Sequence, residues 1–293
     1  MAVYKRNYKV YDGRQTSARW RFLVLTRFGL RTLFQSRLFV AYTVACFLPM
    51  LVGSVFIYFV HSTTAQLALN IHFGRVLIDR VWFTAFLGNE AWMAVILVAW
   101  GAPGMITRDL ANSALQLYLS RPLSRAEYML GKISVLGILL SCTTWIPAVL
   151  LFLLQASLQG DGWGWQHLWM LGSIFIGCLL WIAIMSLYSL ALSVWVKWRI
   201  AATALFLGSF FVLSGFGEVV NLILRTNWGK LLNIPYVFIL VWAHLFRFPQ
   251  QDLRVGQMDL IPLWAACATL LALCGASLWL INTRLKAREV ERT

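Results

Sequence analysis

The sequence is poor in charged residues, and in acidic residues above all. Only 12% of the 293 residues are charged, with 11 Asp and Glu against 25 Lys and Arg, whereas 60% are hydrophobic. A soluble domain of this length has too small an interior for so many apolar side chains, so the surplus must face something other than water. The composition therefore excludes an ordinary soluble protein and predicts an all-α integral membrane protein with several spans.

Patterned cysteines and a cleavable leader are also missing. The five cysteines all fall inside apolar stretches, in no disulfide or metal-binding spacing, where a cysteine simply packs. The first apolar run begins near Leu38 behind a long basic segment and is too long for the core of a signal peptide. We expect the first span to act as its own insertion signal.

Motifs for catalysis are absent as well. A phosphate-binding loop needs G-x-x-x-x-G-K-[ST], and the Gly-Lys pairs at 131–132 and 229–230 lack it. The four histidines lie near predicted outer span ends or in loops, and no aspartate pair lies within a span, so a membrane protease is not indicated. The spacing of His61 and His72 is not diagnostic of a metal site. We expect no enzymatic activity, cofactor or metal in this chain.

Six apolar runs are candidates for membrane spans. A transmembrane helix needs about 20 mostly apolar residues to cross about 30 Å of hydrocarbon. The second run is short unless it starts back at Trp82, which would take Glu90 into the membrane. The predicted spans are 38–60, 91–106, 133–154, 168–196, 200 to about 213 or beyond, and 260–281.

The region between the last two spans, 214–247, has an interrupted apolar pattern. Its stretch 231–246 is hydrophobic but contains Pro235, and it fits either a seventh span or one limb of a re-entrant hairpin. With six spans and both termini inside, the inner segments carry 19 Lys and Arg against 5 acids, and all other positions carry 6 against 6. This asymmetry follows the positive-inside rule, which a seventh span would violate at the basic tail. We therefore predict six spans with an outer re-entrant element.

The chain divides into three parts on this basis. Segment 1–37 is predicted to be a cytoplasmic N-terminus whose stretch 16–37 forms an interfacial amphipathic helix, with arginines on one side and aromatic and leucine residues on the other. That helix is either a lipid-anchored elbow or also a contact for a cytoplasmic partner. Segment 38–283 is the six-helix transmembrane domain, and 284–293 is a basic cytoplasmic tail.

The loop 107–132 is the longest predicted cytoplasmic loop between spans. Asp109 can cap a helix starting at Leu110, and Pro122 ends that helix because the residue before a proline is disfavoured in helical geometry. Ser124 and Glu127 then form a capping box that starts a new helix leading into the third span. Such a loop is either a handle that transmits force from a soluble partner or a mere connector.

The stretch "LYLSRPLSRAEYMLGK", 117–132, resembles the cytoplasmic-loop signature of ABC-2 type transporter permeases. That signature has a leucine-rich stretch, a Pro-x-x-Arg turn, a tyrosine, and Gly-Lys opening the third span. The matching positions are Arg121, Pro122, Arg125, Tyr128, Gly131 and Lys132. The remaining layout is also similar to that family: an interfacial helix first, six spans, an interrupted segment before the last span, and a basic tail.

The resemblance implies a permease subunit in the inner membrane that pairs with a second permease subunit, identical or related. A separate ATPase subunit, which would bind ATP and Mg²⁺, would receive residues 109–119 as a coupling helix. Arg121 and Arg125 would contact the ATPase or lipid phosphate, or would serve topology alone. The residues expected at this contact are Asp109, Leu110, Leu117, Tyr118, Arg121, Pro122, Arg125 and Tyr128.

Three polar residues lie at or inside predicted spans: Glu90, Glu218 and Asn221. Buried polar groups in a membrane are costly and face a cavity, a partner or the interface, so these three are candidates for a substrate path. Glu218 could instead pair with Arg225 or lie at the interface, and Glu90 could cap the second span. Short outer loops and few embedded charges favour a lipid-like, amphipathic or glycan-linked substrate. The alternative function is a membrane scaffold or mechanical transmitter in a larger envelope complex, and nucleic-acid binding is not expected.

Overall fold

The computed structural model describes residues 20–62, 64, 66–67, 78–111, 124–160, 162–196, 198–249 and 261–290. Helices are the only regular elements among these residues. The described residues form six helical segments that are long and apolar enough to cross a membrane, which confirms the predicted helical membrane protein. We call them spans 1 to 6: Arg37–His61, Arg80–Thr107, Arg125–Gln159, Leu168–Trp195, Arg199–Leu224 and Leu263–Arg284.

Among the described residues, shorter elements surround the spans, and two of the spans belong to longer helices. Span 2 lies in the helix Arg80–Ala111, and span 6 in the helix Leu263–Val290. The other elements are an N-terminal helix, a single turn before span 4, a 3₁₀ helix and a short apolar helix. Their bounds are Arg21–Phe34, Trp163–Gln166, Trp228–Leu232 and Ile234–Leu245.

Prolines explain the breaks inside spans 1 and 3. A proline lacks the N–H that would bond the carbonyl four residues back, and its ring clashes with that carbonyl. Span 1 consists of the helices Arg37–Ala45 and Leu48–His61, and its first helix ends four residues before Pro49. Span 3 consists of Arg125–Thr143 and Trp145–Gln159, and its first helix ends four residues before Pro147.

Pro103 lies inside span 2 without ending the helix. The carbonyl of Ala99, four residues earlier, accepts a hydrogen bond from the Thr203 hydroxyl of span 5 at 3.0 Å. The neighbouring carbonyl of Trp100 accepts from Arg199 Nη2 at 3.2 Å. Span 5 therefore supplies donors at the place where the proline removes one from span 2.

Spans 3 and 4 form the centre of the bundle, because 56% of the most apolar window of each is buried. Spans 1 and 5 lie at the periphery, where only 22% of that window is buried. Their outer faces carry large apolar side chains, as a lipid-facing surface does. Examples are Leu48, Leu51, Val52, Ile200, Phe211 and Leu222.

The observed limits of spans 2 and 5 determine where several of the predicted site residues lie. Span 2 begins at Arg80, so Glu90 lies inside it, and the interpretation of Glu90 as a cap outside the membrane is wrong. Span 5 continues through its glycines to Leu224, so the break falls at Arg225, whose φ of 50° is left-handed. The helix Ile234–Leu245 has 12 residues, or about 18 Å, which is too short for a span, so the structure contains six rather than seven such helices among its described residues.

Candidate functional site

Asp109, Tyr128 and Lys132 meet where span 2 leads into the loop and span 3 leaves it. The Lys132 ammonium lies 2.7 Å from Asp109 Oδ2 and also donates to the Met105 carbonyl at 3.0 Å. The Tyr128 hydroxyl donates to the same Asp109 oxygen at 2.8 Å. The ammonium also lies 5.4 Å from the centre of the Tyr128 ring. We call these three residues the Asp109 cluster.

Burial makes the Asp109 cluster energetically important. The side chain of Lys132 is 6% exposed and that of Asp109 is 15% exposed, while Tyr128 is 1% exposed. A buried charge is tolerated when it is paired and hydrogen-bonded, and removing one partner leaves the other uncompensated. The cluster therefore joins the end of the helix Arg80–Ala111 firmly to the start of span 3.

Local sequence explains how span 3 presents its half of the cluster. Ser124 Oγ accepts from the Glu127 N–H at 3.2 Å, and the Glu127 carboxylate accepts from the Ser124 N–H at 2.7 Å. This reciprocal capping box, predicted from the sequence, is confirmed, and it fixes the first turn of the helix. Tyr128 and Lys132 are four residues apart, so they lie on one face of that helix.

Asp109 is positioned differently from the sequence prediction. The sequence suggested that it caps a new helix beginning at Leu110, but it lies in the last turn of the helix that contains span 2. The carboxylate consequently turns to span 3 instead of to its own backbone. The continuous helix places Asp109 one turn beyond Met105, within reach of Lys132.

The N-terminal helix packs against the start of span 3 beside this cluster. Thr26 Oγ1 contacts the carbonyls of Phe22 and Gly131 at 3.1 and 3.2 Å. A methyl group at Gly131 would lie only 3.0 Å from Leu25 Cβ and 3.1 Å from the Phe22 carbonyl oxygen. The two helices therefore approach so closely at Gly131 that a residue with a Cβ would force Leu25 or the backbone of Phe22 to shift by a few tenths of an ångström.

A cleft of about 350 Å³ opens next to the Asp109 cluster. Its walls come from the N-terminal helix and spans 1, 2, 3 and 5, and its charged lining consists of Asp109, Lys132 and Arg199. Lys132 and Arg199 are not among the site residues predicted from the sequence, although Lys132 belongs to the loop signature. For Lys132, its spacing of four residues from Tyr128 was a usable signal in the sequence. For Arg199 there was none, because no local pattern links it to span 2.

The predicted coupling residues divide into two groups. Asp109 and Tyr128 are brought together and face each other inside the protein. Arg125 is the first residue of the span 3 helix and is half-buried. The side chain of Leu110, and all of Leu117, Tyr118, Arg121 and Pro122, lie outside the described residues.

The three candidate substrate-path residues do not form one site. Glu90 is completely buried in span 2, and neither of its oxygens has a hydrogen-bond partner among the described residues. Glu218 is exposed on span 5, and within the described part of the chain no ion pair joins it to Arg225. Asn221 Oδ1 accepts from the Gly229 N–H at 2.7 Å, so it ties the 3₁₀ helix to span 5.

Gly217 and Gly229 explain the position of that 3₁₀ helix. Their backbones lie so close together that a methyl group on either would overlap the carbonyl oxygen of the other.

Comparison of the chain with models of known protein families and with curated protein sequences finds no match.

Proposed function

We propose that the chain is the permease subunit of an ABC-2 type ATP-driven transporter. The observation that supports this function most is the Asp109 cluster at the base of the loop 107–132. Both ends of the loop are joined through buried polar contacts, so a push on the loop moves spans 2 and 3 together. A flexible connector would not need a paired charge at its base.

In this proposal a separate ATPase subunit binds the loop and hydrolyses ATP with Mg²⁺. Arg121, Arg125, Leu117 and Tyr118 form the contact surface, while Asp109 and Tyr128 act behind it by holding the loop ends. The N-terminal helix lies in the membrane interface, against span 3. Movement of the loop is thereby passed to the N-terminal helix as well as to the bundle.

The remaining parts of the proposal concern the membrane contacts, the topology and the substrate. The apolar faces of spans 1 and 5 contact membrane lipids or a second permease subunit, identical or related. The protein lies in the inner membrane. Both of its termini are in the cytoplasm, as the positive-inside rule predicts. The helix Ile234–Leu245 is the returning part of an outer re-entrant element. The substrate is lipid-like, amphipathic or glycan-linked.

Affinity purification of the tagged protein in mild detergent, with mass spectrometry of the partners, tests this function. We expect a soluble chain with a phosphate-binding loop to co-purify, and to be lost when Leu117 and Tyr118 are both replaced by alanine. The matched control replaces Leu222 and Ile223 by alanine. These two exposed residues lie at the C-terminal end of span 5, outside the loop, so this variant should retain the partner. Recovery of envelope proteins without any ATPase would contradict the proposal and favour the scaffold function.

A further inference from the structure

Glu90 is a buried carboxyl group for which neither the fold nor the proposed coupling accounts. It is the eleventh of the 28 residues of span 2, one helical turn from the middle of that span. Its exposed fraction is 0%, and both carboxyl oxygens lack a hydrogen-bond partner among the described residues. A group in this position is inside the hydrocarbon and inside the protein at once.

No positively charged side chain among the described residues forms a hydrogen bond or an ion pair with Glu90. Its electrostatic neighbours with a titratable group are Tyr42 and Cys46 of span 1 and Cys178 of span 4, all of which are neutral in their protonated forms. The Tyr42 hydroxyl donates to the Met93 carbonyl at 3.1 Å. An isolated carboxylate in such a place would be very unfavourable, because nothing replaces its hydration.

A cation must therefore neutralise Glu90, and the described residues limit which cation it is. Metal ions need several ligands, and the described residues contain no group of three or more His, Cys, Asp and Glu side chains able to hold one. A proton needs only the carboxyl group itself. We infer that Glu90 is a proton-binding site in the middle of the bundle and carries a proton at neutral pH.

The position of the proton site connects it to the breaks of two other spans. Cys46 directly follows the first helix of span 1 and is fully buried, so Glu90 faces the interruption in that span. Cys178 is hydrogen-bonded to the side chain of Thr144, the residue between the two helices of span 3. Loss of the proton would place a negative charge between the helix break of span 1 and the helix break of span 3.

Infrared spectroscopy of the purified protein at neutral pH in an alkyl-glycoside detergent, which contains no carbonyl group of its own, tests this inference. A protonated carboxyl group has a carbonyl band above the main amide band, which an ionised carboxylate lacks. We expect the wild-type protein to show this band and Glu90→Gln to lose it. Glu218→Gln, a change of an exposed acid on span 5, should leave the band unchanged. A wild-type spectrum without the band, or a band that survives in Glu90→Gln, would overturn the inference.

A second variant keeps the test decisive if Glu90→Gln fails to fold. Glu90→Asp retains a carboxyl group with a shorter stem, so its band should be shifted in frequency and not lost. An unshifted band in this variant would assign the proton to another acid. The proton site needs no ATPase partner, so its test can fail or succeed independently of the proposed transport function.

Discussion

Single residues decide how the charged groups of this apolar protein are accommodated. Lys132 is buried and Asp109 is partly buried, and each member of this pair has a second polar partner within 3.0 Å. Lys132 would otherwise be an isolated charge next to apolar walls. The pair is tolerated because its hydrogen bonds replace the water that both groups lose.

Replacing Asp109 by asparagine removes the negative charge from this pair. We expect the free energy of unfolding to fall by about 3–5 kcal/mol, because the Lys132 ammonium stays buried without a counter-charge. Denaturant titration in mixed micelles measures the change. The double variant Asp109→Asn with Lys132→Met should recover most of the loss, since it buries no charge.

The matched control for this prediction is Glu218→Gln. Glu218 is exposed and has no ion pair within the described part of the chain, so its replacement should change the free energy of unfolding by less than about 0.5 kcal/mol. An Asp109→Asn variant that behaves like this control would show that the pair does not stabilise the fold.

The sequence predicted some of these residues and not others, for a physical reason. Asp109 was selected for a helix-capping role that the structure does not give it, and Tyr128 was selected through its place in the loop signature. Arg199 and Thr203 could not be selected, because their partners are carbonyls of span 2 about a hundred residues away. Pro103 shows from the sequence alone that one backbone N–H donor is missing. Which side chain replaces that donor is determined only by the packing of the spans.

At the scale of helices, local sequence signals predicted which helices exist better than they predicted where each helix begins and ends. Prolines and the capping box fall where the structure has helix ends, because they act within four residues. Span 5 was expected to weaken near its glycines, but it continues for another three turns. Gly217 of span 5 packs against Gly229 of the 3₁₀ helix, and this contact requires a small residue, so Gly217 is a contact residue and not a helix end.

The contact between the N-terminal helix and span 3 should depend on Gly131. In Gly131→Ala the new methyl group would press on Leu25 and on the backbone of Phe22, so the two helices must move apart. We expect a destabilisation of about 1–3 kcal/mol and faster proteolysis of the N-terminal helix. Denaturant titration and limited proteolysis in detergent measure these two effects.

Gly137→Ala is the matched control on the same helix. A methyl group at Gly137 meets nothing within 4 Å, so the substitution should be neutral or stabilise the helix by up to about 1 kcal/mol. Equal behaviour of the two variants would mean that the close approach at Gly131 does not hold the N-terminal helix in place.

At the scale of the whole molecule, the number of spans determines which parts can meet. In a six-span arrangement the basic tail would return to the side of the N-terminal helix, and the net charge of +14 would be concentrated on that face. Only that arrangement lets the loop 107–132, the N-terminal helix and the tail face a common soluble partner. The count depends on the helix Ile234–Leu245, which has about 18 Å of length against about 30 Å of hydrocarbon.

Topology reporters test this count directly. We expect a fluorescent reporter that folds only in the cytoplasm to be active when fused to residue 293 and also when fused to the N-terminus. A phosphatase that is active only outside should report from fusions at residues 162 and 250. Activity of the phosphatase at residue 293 would mean that Ile234–Leu245 crosses the membrane, with its flanking residues completing the span. In that case the tail and the loop 107–132 would lie on opposite faces, and a single soluble subunit could not contact both.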